Sequence, residues 1–128
     1  MESKKEQIKK ILKEDLLRFE DIYACAVSAK HLGEGIGPFT KPEHESELRS
    51  IWDSLEKTTD EFFRIIENYS NYGLGEVYFR LQEYEVMFFV LPETDTALVA
   101  IIPALANKGL LEVAMEKARR KIIKIMKD

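Results

Sequence analysis

The chain has 128 residues, of which 45% are apolar and 33% charged, with a net charge of −4. That suits one compact domain spanning residues 1–128, large enough to bury a core without disulfide or metal. The mild negative charge disfavours bulk nucleic-acid binding, the lone Cys25 rules out an intramolecular disulfide and a thiolate zinc site, and no run approaches the ~20 apolar residues of a transmembrane segment.

The charged start Met1–Glu6 lacks a signal-peptide apolar core, and with so little cysteine a cytoplasmic setting is expected. Residues 4–19 place Ile8, Ile11, Leu12, Leu16 and Phe19 at helical spacing, with Lys9, Lys10, Lys13 and Glu14 opposite. Asp21–Ser28, with Ala24, Cys25 and Ala26 at its centre, reads as a strand buried on both faces. Residues 30–44 hold Gly33, Gly35, Gly37, Pro38 and Pro42 and read as a loop, with a short strand near Ile36–Thr40.

Glu45–Tyr69 reads as one long helix. Leu48, Ile51, Trp52, Leu55, Thr59, Phe62, Phe63, Ile66 and Tyr69 make a wide stripe, with Ile65 at one margin. Trp52, Phe62 and Phe63 are its expected core anchors. Leu74–Leu81 alternates: Val77, Phe79 and Leu81 face one way, and Glu76, Tyr78 and Arg80 the other, as on an edge strand. Glu85–Leu91 and Thr96–Ile102 are nearly continuous in apolar residues, as in central strands. A final helix over residues 108–127 carries Leu111, Ala114, Met115, Ala118, Ile122, Ile125 and Met126 along one stripe.

No catalytic constellation emerges, and no metal or cofactor is expected. His31 and His44, with Glu34, Glu43 and Glu45 nearby, match no helical metal-ligand pair and read as loop residues. Gly33-Glu34-Gly35-Ile36-Gly37 lacks the Lys-Ser/Thr of a phosphate loop, and Glu34 would repel phosphate. Cys25 lies in a buried strand with no basic neighbour, unlike a nucleophile. The basic side of the last helix (Lys117, Arg120, Lys121, Lys124, Lys127) reads as a solvated face rather than a contact with an acidic membrane or partner, because the stripe beneath it lacks Trp and Phe. The stripe of Glu45–Tyr69 is wider than one sheet covers, so its margins Ile51, Ile65 and Tyr69 are candidates for burial against a second copy.

The helix with Ile8, Ile11 and Leu12 before the small-residue strand Tyr23–Val27 resembles the Roadblock/dynein light chain domain family. So do the helix Glu45–Tyr69, the strands Gly75–Phe79, Glu85–Leu91 and Ala97–Ile102, and the helix entry Asn107-Lys108-Gly109-Leu110-Leu111. The resemblance implies an α+β, profilin-like αββαβββα fold. Its five-stranded antiparallel sheet would carry two helices on one face and one long helix on the other. It also implies a non-catalytic homodimer scaffold for a Ras-like small GTPase. Third strands would pair across the dimer through Glu76, Val77, Tyr78, Phe79 and Arg80, beside Ile51, Ile65 and Tyr69. The outward surface Asp53, Lys57, Asp60, Arg64 and Glu67 would face the GTPase. The glycine-rich segment departs from the tight hairpin this family usually has between its first two strands. A second reading kept from the element order is a small-molecule sensor of the PAS or GAF kind, with a pocket between sheet and helix. An enzyme working through His31 and His44 is a third.

Overall fold

The computed structural model describes residues 2–31 and 33–128. Helix α1 (Lys4–Lys10) begins at Ser3, whose hydroxyl accepts from the Glu6 N–H, and runs on as a wider π-type turn over Ile11–Leu16. Strands β1 (Ala24–Ala29) and β2 (Ile36–Thr40) form a hairpin. After α2 (Glu45–Lys57) and α3 (Thr59–Tyr69) come β3 (Glu76–Arg80), β4 (Tyr84–Leu91), β5 (Thr96–Pro103) and α4 (Lys108–Lys127). All pairings are antiparallel and the sheet order is β2-β1-β5-β4-β3. This is the α+β architecture expected from the sequence, with β2 and β3 as the two edges.

The two faces of the sheet carry separate cores. Side chains of β1, β4 and β5 that include Cys25, Met87, Phe89, Leu98 and Ile102 pack under α1 and α4. Their neighbours, among them Val86, Phe88, Val99 and Ile101, pack under α2 and α3 with Leu48, Phe62, Phe63 and Ile66. The alternation of a strand sends successive residues to opposite layers. Strands apolar at every position are therefore those that both layers cover.

Three expectations are corrected. The single helix Glu45–Tyr69 is two helices, broken at Thr58 (φ −105°, ψ 10°). There the Thr58 hydroxyl donates to the Ser54 carbonyl at 3.1 Å, and the Thr59 hydroxyl to the Leu55 carbonyl at 2.9 Å. Adjacent β-branched residues that take main-chain carbonyls with their own hydroxyls favour a bend. Trp52 is only half-buried, packed at the margin of its core where it lines the cleft beside the bend. The first strand begins at Ala24 rather than Asp21. The segment near Ile36–Thr40 is a strand of the expected span. Gly37 lets it run close to β1: its φ is +90°, and a Cβ there would sit 3.3 Å from the Cys25 carbonyl oxygen.

Cys25 is fully buried, its thiol donating to the Leu12 carbonyl at 3.4 Å, and burial pushes the thiol up to about 12. A thiol whose folded value is raised contributes stability that is intact below its unfolded value near ~8.5 and lost as pH rises through the folded one. Stability should therefore fall between about pH 9 and pH 12, and an aromatic disulfide reagent at about pH 8 should modify Cys25 only as fast as the chain unfolds. Modification faster than unfolding, measured by absorbance beside hydrogen exchange, would contradict the buried assignment.

Candidate interaction surface

The ladder between β3 and β4 fixes which main-chain groups of β3 remain free. Val90 N–H donates to the Gly75 carbonyl and Leu81 N–H to the Tyr84 carbonyl, both at 2.8 Å. With the register Val77↔Phe88 and Phe79↔Val86, alternation gives residues 75, 77, 79 and 81 to β4. The N–H and C=O of Glu76, Tyr78 and Arg80 then point out of the sheet. The other edge differs: β2 contains Pro38, which has no N–H to offer. One edge is thus blunted and the other is open.

Beside the open edge lie exposed apolar groups. Ile65 and Tyr69 on α3 are 47% and 54% exposed, and Phe79 on β3 is 36% exposed. Phe79 also holds α3 in place: its ring lies 5.3 Å from that of Phe88 and 6.2 Å from that of Phe62, and Phe62 lies 4.2 Å from Phe88. Of the residues expected at a dimer contact, Ile65, Tyr69, Glu76, Phe79 and Arg80 are exposed, Val77 and Tyr78 are half-buried, and Ile51 is half-buried against the core on α2. Ile51 has less surface to give than its place in the stripe suggested.

The edge strand is held from the other face by α4. Arg119 donates to the Gly75 carbonyl at 2.9 Å and to the Glu76 carboxylate at 3.0 Å, while its other nitrogens bond Glu116 at 2.8 Å. Glu116 raises the Arg119 guanidinium above its ordinary value, and Glu76 adds to this. The Lys108 ammonium sits 4.1 Å above the Tyr78 ring and bonds the buried carboxylate of Glu85 at 2.9 Å. Burial foremost, then the charges of Glu112 and Glu76, push the Tyr78 phenol up to about 12.

Asp53, Lys57, Asp60, Arg64 and Glu67 are all exposed on the α2–α3 layer, with the bend at Thr58 between the first two and the last three. Residues 45–69 carry seven acidic and three basic side chains, so this surface is acidic. Beneath it a cleft of about 510 Å³ runs between the sheet and the α2–α3 bend, lined by Ala26, Trp52, Phe62, Phe79, Phe88 and Val99 among others.

His31 and His44 do not converge. His31 meets Asp95 at 3.0 Å, while the His44 ring stacks on Tyr23 with centroids 3.6 Å apart and bonds the Glu47 carboxylate. The second oxygen of that carboxylate accepts from the Tyr84 hydroxyl at 2.6 Å. Among the described residues no group of three or more metal-ligating side chains forms. The Tyr23–His44–Glu47–Tyr84 cluster, which ties the start of α2 to β4, was not legible in the sequence, because its members lie up to 61 positions apart. The nearest signal is Tyr84, an aromatic polar residue opening an apolar strand.

No protein-family model and no curated protein matches the chain. Solved structures do. MglC from Myxococcus xanthus aligns with a TM-score of 0.65 at 19% identity, over 91% of this chain and 97% of that one. A Roadblock/LC7 domain from Streptomyces avermitilis gives 0.66 at 8%, over 94% and 98%. The gliding protein MglB from Thermus thermophilus gives 0.62 at 12%, over 98% and 92%. The chain has the Roadblock/LC7 fold.

Glu47 titrates below the usual carboxylate range, held there first by the Tyr84 hydroxyl and then by His44. Stabilisation of this kind is present above the unfolded value and lost as pH falls through the folded one. In Tyr84→Phe the Glu47 midpoint should rise toward the ordinary range, read from its side-chain carboxyl carbon by NMR. An unmoved midpoint would show that the phenol does not hold the carboxylate.

Proposed function

We propose that the chain is a non-catalytic homodimer scaffold that binds a Ras-like small GTPase. The observation that carries the reading is the open β3 edge, with three residues presenting free main-chain groups beside exposed Ile65 and Tyr69. An unblunted edge pairs readily with another strand, and pairing with its own copy satisfies both strands at once under a two-fold axis. Ile65, Tyr69 and Phe79 would be covered alongside it, with Ile51 contributing what it leaves exposed.

The partner would sit on the acidic outward surface of α2 and α3, at Asp53, Lys57, Asp60, Arg64 and Glu67. This assignment follows from the net acidic outward face of residues 45–68 and is supported by the exposure of all five residues. These residues offer no activated nucleophile or metal site, so any effect on hydrolysis would come from ordering the GTPase's own switch segments. A cytoplasmic location fits that partner, and no helix among the described residues is long and apolar enough to cross a membrane.

The cleft beneath the α2–α3 bend favours a second reading, the small-molecule sensor. Its volume falls within the range of ligand pockets, and its wall sets Trp52, Phe62, Phe79 and Phe88 beside the polar Ser28, Thr59 and Asp60. Trp52, the only tryptophan, lies in its wall, so a saturable change in intrinsic fluorescence during a ligand screen would bring this reading forward.

Light scattering after size exclusion should give the mass of a dimer for the wild type. Tyr78→Pro, which removes an outward N–H, should give a folded monomer, whereas Val77→Pro, which removes a bond to β4, should unfold the sheet edge in circular dichroism. A wild-type monomer would end the dimer reading. Reversal of Asp53, Asp60 and Glu67 to Lys should weaken capture of a Ras-like GTPase by about tenfold or more, the scale of a few lost rim charges at low salt, with the melting temperature little changed. Undiminished capture would move the partner surface elsewhere.

A further inference from the structure

Helix α4 turns Leu111, Ala114, Met115, Ala118 and Ile122 to the core. At 3.6 residues per turn, its opposite face is a single stripe. Leu110 and Val113 occupy the first two turns of it, and Lys117, Arg120, Lys121, Lys124 and Lys127 the remainder, all seven exposed. No acidic residue of α4 lies inside the stripe. Glu112 and Glu116, four residues apart, lie together along one flank, half-buried, and Glu116 is taken up by Arg119. Of the five bases, Lys121 alone has a carboxylate partner among the described residues, Asp15 at 2.8 Å. Leu105, on the loop entering α4, is 96% exposed next to the apolar end. The stripe is ~26 Å long and lies on the face of the sheet opposite the acidic α2–α3 layer, so the net charge of −4 conceals two layers of opposite sign.

We propose that this outward face of α4 docks the protein on an anionic membrane surface. The five bases would meet phospholipid headgroups while Leu105, Leu110 and Val113 enter the headgroup boundary at one end. Four of the five bases are lysines, mobile point charges without a pocket or a fork to match a fixed set of acceptors, which suits a diffuse planar charge. The exposed aliphatic end gains from a lipid boundary and gains nothing from an acidic, polar helix face. This differs from insertion of the helix, whose apolar stripe is committed to the core. In the β3-paired dimer the two-fold axis would stand perpendicular to the sheet. Both stripes would then face the membrane and both acidic layers would face away. That bivalent orientation rests on the dimer reading; the stripe itself does not.

The test is flotation of the purified chain with phosphatidylcholine vesicles containing roughly 30 mol% phosphatidylglycerol, against phosphatidylcholine alone. The wild type should float only with the anionic vesicles and lose most of its binding between about 50 mM and about 500 mM NaCl. Lys117→Glu/Lys121→Glu/Lys124→Glu should lower affinity by about tenfold or more, since each base near an anionic surface contributes appreciably. Leu110→Ser/Val113→Ser should lower it several-fold. The control Lys30→Glu/Arg49→Glu reverses two exposed charges away from α4 and should bind like the wild type, where Lys117→Glu/Lys124→Glu should not. Tyr78→Pro reads the dimer separately: a monomer that still floats, with lower avidity, supports the stripe. Failure of the wild type to bind anionic vesicles at low salt overturns the proposal, as does an equal loss in the control. A change in solution mass of the Lys117/Lys121/Lys124 variant without lipid would make the stripe a contact between copies, and the membrane assignment would be wrong.

Discussion

The constraint on which the rest of this molecule depends is that β4 and β5 are apolar on both faces. From Val86 to Leu91 and from Ala97 to Ile102 every side chain is buried, so neither face of the central sheet can meet water. Two helical layers are therefore obligatory. The strands that can tolerate one open side, β2 with its proline and β3 with its polar alternate positions, are left at the edges. What the protein can present to others follows from that arrangement: an open strand edge and the outer surfaces of two helical layers.

The two layers are built differently. On one face, α1 and α4 pack closely over small and medium side chains, and α4 is held to the sheet by Arg119 on Gly75 and Glu76 and by Lys108 on Glu85. On the other face, α2 and α3 bend at Thr58 and are seated at two ends. One is the His44–Glu47–Tyr84 cluster. The other is the Phe62–Phe79–Phe88 group. Between these anchorages the bend leaves a cleft with Trp52 in its wall, and the indole N–H there is buried with no acceptor among the described residues.

The distribution of charge follows the same division. The α2–α3 layer is acidic and the exposed stripe of α4 is basic, so two surfaces of opposite sign are separated by the thickness of the sheet. At physiological ionic strength charges are screened beyond ~8 Å, which keeps the two fields local and lets each surface act as a separate recognition element. The open β3 edge lies between them and uses main-chain groups rather than charge.

Much of this was readable from the residues alone. Helical spacing in residues 4–19 and 108–127, alternation in Glu76–Arg80 and unbroken apolar runs in Val86–Leu91 and Ala97–Ile102 determined the element order, the central strands and the β3 edge, while the assignment of helices to faces came from the Roadblock resemblance. They could do so because periodicity records which side of an element meets the core. The exposed positions of Ile65, Tyr69, Asp53, Asp60 and Glu67 were legible for the same reason. The break at Thr58 was not, since its threonine hydroxyls had to compete with a continuous apolar stripe, and only packing on a twisted sheet decides between a bent and a straight helix. Nor were Arg119 on Gly75, Lys108 on Glu85, or Tyr84 on Glu47, which join residues 23 to 44 positions apart. Which main-chain groups of β3 point outward, and which lysine of the α4 stripe meets a carboxylate of another helix, as Lys121 meets Asp15, depend on ladder register and on neighbouring elements. One-dimensional spacing carries the direction of burial along an element, and the tertiary structure alone decides which distant groups come to lie across from one another.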